Sequence, residues 1–251
     1  MDSNILDKVV SVLASSNNTV VVTGAGISTE AGIPDFRGEK GIYKTLGEDR
    51  VMNIININFF KKNPESFYEF YFKYFTLPQV EPSLAHKIMA LMEDEGRISA
   101  VVTQNVDGLH EKAGSHNVIA VHGTRTRFIC TNKDCKRYYS RDNVLKMKKK
   151  VPECIECGGV LKPDVVLFGE PIQQFNNARE QIMNADVLMV IGSSLVVYPL
   201  AGFVQEFAAI SKNLIIINKG PTQMDYAALV KVEVGDSNTG EILQKIKRRL
   251  I

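Results

Sequence analysis

A chain of 251 residues with 45% apolar side chains has material for one large domain, or one domain with a small insertion, and for a sizeable core. Thirty basic residues against 28 acidic ones leave a net charge of +2, too little to point to a nucleic-acid or membrane surface. No apolar run approaches the roughly eighteen residues of a membrane span, and the opening MDSNILDKVVSVLASSNN reads as a surface helix, not a signal peptide.

The first strong signal is the β-branched run Thr19-Val20-Val21-Val22-Thr23, a buried strand, followed by Gly24-Ala25-Gly26 and a plausible first helical turn at Ile27-Ser28-Thr29-Glu30. A strand passing through a glycine turn into a helix N-terminus presents free backbone N–H groups, which suits a pyrophosphate. The third glycine of a dinucleotide fingerprint is replaced by Thr29, and Gly32-Ile33-Pro34-Asp35-Phe36-Arg37-Gly38 reads as loop where a second strand would begin. This is a modified dinucleotide site. Residues 39–77 carry no convincing strand, and NPESFYEFYFKYF opens on an Asn-Pro helix start with dense aromatics. Core packing of a helical lobe is the main reading there, with lining of a substrate channel as the alternative.

Further strands are expected at 98–103, 118–121, 165–168, 187–191, 214–218 and 230–234, most of them continuous apolar runs with helices between several. That pattern belongs to a parallel, doubly wound sheet covered on both faces. Ligands of such sheets sit at the carboxyl ends of strands. Gln104, Asn105 and Asp107 follow the 98–103 strand and are placed to meet a ribose or a carboxamide, although Asp107 equally suits a cap for the helix that follows. His122-Gly123 ends the next strand, where a histidine can serve as general base or be a satisfied structural group. Of the other histidines, His86 falls inside a helix over 83–92, His110 packs behind its loop and His116 is an exposed turn residue. Gly192-Ser193-Ser194, Asn218 and Gly235-Asp236 close three further strands and fit either a nucleotide across the sheet edge or ordinary turns.

The four cysteines fall in one window as Cys130-x4-Cys135 and Cys154-x2-Cys157, a zinc-ribbon spacing. Four thiolates close a tetrahedron and leave no open position, so the metal is expected to be structural. A disulfide pair or incidental thiols are the alternatives. Clustered cysteines suggest a reducing, cytoplasmic compartment. The KMKKK run at 146–150 reads as a solvated helix end. In the C-terminal KIKRRL helix, Leu243, Ile246 and Leu250 form the apolar stripe.

Together these residues resemble the sirtuin family of NAD-dependent protein-lysine deacylases, in a bacterial or archaeal-type form. The matching motifs are GAGIS at 24–28, PDFRG at 34–38, TQNVDGLH at 103–110, HG at 122–123, the four cysteines, FGE at 168–170, GSS at 192–194 and Asn218. The resemblance implies a Rossmann-like domain from 1–38, 78–126 and 163–251. A smaller domain would combine a helical lobe, 39–77, with a zinc module, 127–162. NAD and an acyl-lysine peptide would enter between them.

In the family the acyl oxygen attacks C1′ of the nicotinamide ribose, nicotinamide leaves, and an alkylimidate forms. The histidine then deprotonates a ribose hydroxyl, and water completes the release of lysine and O-acyl-ADP-ribose. By motif position His122 is the base, with Asn105 and Asp107 beside the nicotinamide ribose and carboxamide. Gly24, Ala25, Gly26, Thr29, Asp35, Phe36, Arg37, Gln104, Val106, Gly192, Ser193, Ser194, Asn218 and Asp236 complete the implied NAD contacts. Val166 and Phe168 would border the acyl-lysine tunnel. Gly169, Val196 and Tyr198 would lie where the peptide pairs as an added strand. Cys130, Cys135, Cys154 and Cys157 would hold one structural zinc ion.

Relatives selective for acidic acyl groups carry a Tyr and an Arg three residues apart in the lobe. Here Tyr71 is followed by Tyr74, and no Arg occurs between Arg50 and Arg97, so acetyl or longer apolar acyl groups are expected over succinyl. The competing readings are mono-ADP-ribosyl transfer at the same site, a non-catalytic zinc-ribbon binding module, and a hydride-transferring dehydrogenase. No specific nucleic-acid or membrane partner is expected. The oligomeric state is left open, a monomer being compatible with the sequence.

Overall fold

The protein is described by a computed structural model covering residues 3–36, 41–76, 80–211, 213–235 and 238–250. Arg37 and Asp236, both expected at the NAD site, lie outside the described residues. Among the described residues nine strands follow one another: β1 Thr19–Thr23, β2 Ala100–Thr103, β3 Val118–Ala120, β4 Gly123–Cys130, β5 Tyr138–Ser140, β6 Leu161–Val165, β7 Val187–Ile191, β8 Leu214–Asn218 and β9 Val230–Glu233. Six of them form one sheet in the order β3-β2-β1-β7-β8-β9, every pairing parallel.

All five residues of β1, β7 and β8 are buried, which is why these segments read as unbroken apolar runs. One face packs under helices Ser3–Ala14, Leu84–Asp94 and Thr239–Arg249, where Leu6, Val9, Met89, Leu243 and Ile246 meet Val21 and Ile215. Helices Phe175–Met183 and Leu200–Ile210 cover the other, with Ile182, Phe203 and Phe207 against Val20, Val22 and Leu188. The sheet is therefore doubly wound, as the alternation predicts. Strand order reverses between β1 and β7, which opens a crevice at their carboxyl ends.

A second, three-stranded antiparallel sheet, β5-β4-β6, packs with the lobe helices Ile57–Lys62 and Pro64–Tyr74 around Phe60, Phe67, Tyr68, Phe128 and Leu161. Asn63 and Pro64 start the second of these helices, as expected of an Asn-Pro pair. KMKKK lies at the exposed end of helix Arg141–Lys146.

One expectation is corrected. The strand expected at 165–168 is not part of the parallel sheet. Its first residue ends β6, and Val166 and Phe168 then donate separately to His122 O at 2.9 Å and Ile55 O at 2.9 Å. The apolar run is extended but pairs with different partners, so no ladder forms. The helical turn expected at 27–30 forms within a 3-10 helix, Ala25–Ala31. β2, β3 and β9 are each one or two residues shorter than their apolar runs.

Candidate active site

The carboxyl ends of β1, β2, β3, β7 and β8 open on one cleft of about 1380 Å³, closed on its far side by the lobe aromatics. Its floor is set by glycine. Gly24 N donates to Ile191 O at 3.1 Å and Gly26 N to Gly192 O at 2.9 Å. A Cβ on Gly26 would stand 2.8 Å from Gly192 Cα, and one on Gly192, where φ is 62°, only 2.4 Å from Ile27 N. The glycines let two strand-end loops touch. The amides of Gly24 and Gly26 are thereby occupied, which corrects the expectation that they stay free for a pyrophosphate.

Beyond β2, Asn105 N donates to Thr103 Oγ1 at 3.0 Å, which tightens the turn. Asn105 Nδ2 reaches Gly24 O at 3.1 Å and Ser28 Oγ at 3.2 Å, and Ser28 Oγ donates to Asp107 Oδ2 at 2.7 Å. The other Asp107 oxygen accepts from Leu109 N at 2.9 Å. Capping and site placement are thus both true of Asp107: one oxygen holds the helix start and the other faces β1. Ser28 is 1% exposed and joins the two motifs. The sequence places it in the GAGIS motif but assigns it no contact, because a lone Ser in a glycine turn carries no signal of its own.

His122 lies just past β3, with its Nδ1 3.1 Å from Gln104 O. A carbonyl only accepts, so Nδ1 carries the proton and Nε2 keeps its lone pair. Burial pushes the pKa of His122 below the usual imidazole value, the Gln104 carbonyl opposing in part. The ring is neutral at pH 7 and can accept a proton. Gln104 is held in turn by Ser193 Oγ, which donates to its Oε1 at 3.3 Å.

Behind this edge lies a buried polar group. His110, 1% exposed, sits with Nε2 2.9 Å from Thr23 Oγ1, which donates to Thr103 Oγ1 at 2.8 Å. His86, fully buried, packs its ring 4.7 Å from that of His110. Both histidines are structural, as their positions suggested, and His116 is exposed beside Asp94.

A Sir2 family profile matches residues 24–199. The chain is 42% identical to an NAD-dependent protein deacetylase of Clostridium tetani across 95% of this chain and 96% of that one. With its counterpart from Saccharolobus solfataricus it shares 40%, across 98% and 99%. A solved structure described as "Sir2-p53 peptide-NAD+" superposes with a TM-score of 0.82 at 36% identity, covering 97% of this chain and 96% of the other. The chain belongs to the Sir2 family.

The remaining expected residues of this Sir2 cleft divide clearly. Ala25, Thr29, Asp35, Phe36, Val106, Ser193, Ser194, Asn218, Val166, Phe168, Gly169 and Tyr198 all line it. Val196 does not, and its neighbour Val197 does. Phe36 is partly exposed in the loop after the 3-10 helix and rests against the Tyr43 ring, centroids 5.4 Å apart. Among the lobe aromatics Phe60 and Tyr68 are core, while Phe67, Phe70, Tyr71, Tyr74 and Phe75 reach the cleft. Arg125, on β4, lines it as well and was not anticipated.

Cys130, Cys135, Cys154 and Cys157 bring their sulfurs within 4.8 Å of one another, with 3.5 Å between Cys130 and Cys157 and 3.7 Å between Cys135 and Cys154. Four thiolates around a zinc ion at about 2.3 Å would stand at such separations, and tetrahedral geometry leaves no fifth ligand site. The cluster fits one structural zinc. No disulfide joins these cysteines.

Proposed function

We propose that this Sir2 protein is an NAD-dependent protein-lysine deacetylase, moving the acetyl group of an acetyl-lysine peptide to ADP-ribose with release of nicotinamide and O-acetyl-ADP-ribose. The observation that carries the reading is His122, a neutral imidazole lining the cleft with its tautomer fixed by Gln104 O. NAD supplies the reactive glycosidic bond. The chain's own residues bind, orient and move the proton.

In this reading Asn105, Ser28 and Asp107 form a linked polar face for the nicotinamide ribose and carboxamide. Phe36 shields the reacting carbon from water. The 24–29 segment with Ser193, Ser194 and Asn218 serves the phosphates and the adenosine end. His122 Nε2 takes the proton of a ribose hydroxyl as that oxygen attacks the acyl carbon. Val166 and Phe168 border the acyl-lysine, and Gly169 and Tyr198, with Val197 in place of Val196, line the peptide's path. The cysteines hold zinc away from the chemistry.

Domain limits at 1–38, 78–126 and 163–251 for the NAD-binding part, 39–77 for the lobe and 127–162 for the zinc module are supported by separate apolar clusters, although β4 and β6 run across two of the limits. Four thiols poised for metal fit a cytoplasmic setting. No helix among the described residues is long and apolar enough to cross a membrane.

The test is His122→Ala, assayed with NAD and an acetyl-lysine peptide by mass spectrometry. Wild type is expected to yield O-acetyl-ADP-ribose and free lysine, and the variant to bind NAD with a 10²-fold or greater loss of kcat, on the order expected for a lost general base. Near-wild-type turnover by the variant would refute the assignment of the base. Attachment of ADP-ribose to a protein in place of deacetylation would favour the transferase reading.

A further inference from the structure

The segment that follows β6 is a thin wall. Val165, Val166, Glu170 and Pro171 line the active cleft and also a second cavity of about 570 Å³, which Phe60, Ile129 and Lys162 line as well. A stretch of chain with open space on two sides is not held by packing, because packing needs neighbours on both. Polar contacts at defined points have to hold it. Three are backbone bonds: Val166 N donates to His122 O at 2.9 Å, Phe168 N to Ile55 O at 2.9 Å and Ile57 N to Phe168 O at 3.0 Å. The end of the wall closes on itself around Gly169, where φ is 89°. Glu170 N donates to Leu167 O at 3.0 Å, and Leu167 N donates back to Glu170 Oε2 at 2.9 Å.

The remaining hold comes from the second cavity. Lys162, 8% exposed, lines that cavity and not the cleft. Its Nζ donates to Pro163 O at 3.3 Å and to Val165 O at 2.6 Å, and stands 2.9 Å from Glu170 Oε2. The three ammonium protons thus meet three acceptors, and two of these lie at opposite ends of the wall. The Glu170 oxygen that faces Lys162 is the one that accepts from Leu167, so the ammonium fixes the carboxylate and the carboxylate fixes the turn. Asp164, on the same strand as Lys162, is engaged elsewhere. Beside the bulge that interrupts β4 between Gly123 and Phe128, it accepts from Arg127 Nε at 2.6 Å and from Gln173 Nε2 at 3.1 Å. Largely withdrawn from water, the Lys162–Glu170 pair is screened less than a surface pair, and removing one partner leaves the other uncompensated.

We propose that Lys162 is a positioning residue which, through Glu170, sets the wall carrying Val166 and Phe168 and thereby the affinity for the acyl-lysine peptide. This rests on the deacylase reading above and adds to it a residue that stands outside the cleft. The ion pair touches only the 163–170 stretch. The loops that carry Ala25, Thr29, Ser193 and Ser194 follow β1 and β7 and have no bond to it. Loosening the wall should therefore weaken the peptide and spare the dinucleotide.

The test measures the Kd of an acetyl-lysine peptide by calorimetry, the KM values for peptide and NAD, and Tm, in wild type, Lys162→Met, Lys162→Arg, Glu170→Gln and the double variant Lys162→Met/Glu170→Gln. Lys162→Met should raise the peptide Kd and KM about tenfold, as for a lost charged hydrogen bond, with the KM for NAD within about twofold of wild type. Glu170→Gln keeps an acceptor for Leu167 N but loses the charge, and should show a smaller rise of the same kind. Lys162→Arg should recover most of the affinity. The double variant should be no worse than Lys162→Met, because the two residues act as one. Additive losses in the double variant, an equal rise in both KM values, or a lower Tm with peptide Kd unchanged would each overturn the proposal. Should Lys162→Met not fold, the same split between peptide and NAD in Glu170→Gln decides. A wild type that neither binds nor deacetylates the peptide would instead defeat the deacylase reading.

Discussion

Lowering the pH from 7.5 to 5 should destabilise this protein through His86 and His110. Burial is the first cause for both, taking the pKa of His86 from 6.5 to about 4 and that of His110 to about 3. Neither has room to solvate a charge: His86 Nε2 and His110 Nδ1 are buried without a hydrogen-bond partner. The folded state therefore binds fewer protons than the unfolded chain between these values and 6.5. Stability is complete above about 6.5 and is lost as pH falls toward the folded values. One pH unit is worth about 1.4 kcal/mol per group. At pH 5 each histidine has withdrawn about 2 kcal/mol, and the pair about 4, from a total of roughly 5–15. Urea unfolding at pH 7.5 and 5 should show this in wild type, and a His86→Gln/His110→Gln variant should show a shallower dependence. Its lower absolute stability does not enter the comparison. Identical pH slopes in the two proteins would refute the reasoning.

Because burial lowers the pKa of His122, the acid limb of kcat/KM in the wild-type enzyme should fall below pH 6.5; a limb at or above that value would contradict the burial argument. Ser28→Ala strands the Asp107 carboxylate and the Asn105 amide, an effect of about 1.5–3 kcal/mol that should appear as a ~10–100-fold loss in kcat/KM for NAD. Cys154→Ser should reduce bound zinc and lower Tm by roughly 6–12 °C, corresponding to about 3 kcal/mol, with activity falling in step. Full activity after complete zinc removal would contradict a structural metal.

The parallel sheet was legible because β1, β7 and β8 are buried on both faces, and burial writes itself as unbroken Val, Ile and Leu. Strand ends carried His122, Asn105 and Asp107 to one edge for the same reason. Where a short antiparallel strand ends at Val165 and Val166 and Phe168 find separate partners, apolar character alone misleads. The spacing of Gly24 and Gly26 suggests a cradle for phosphate, yet each packs against Gly192, a contact between segments far apart in the chain. Such contacts leave no periodicity to detect. Arg125 was missed on the same ground, since only the β4 bulge turns it inward while Arg127 points out.

The central claim is that this cleft breaks the glycosidic bond of NAD in step with deacylation of lysine. Incubation of the wild-type protein with NAD and an acetyl-lysine peptide tests it most directly, with nicotinamide and deacetylated peptide counted together. The expected result is one nicotinamide per lysine freed, with no absorbance gained at about 340 nm, the signature of hydride transfer to a nicotinamide cofactor. Deacetylation without NAD consumption, or reduction of NAD with the peptide untouched, would contradict it.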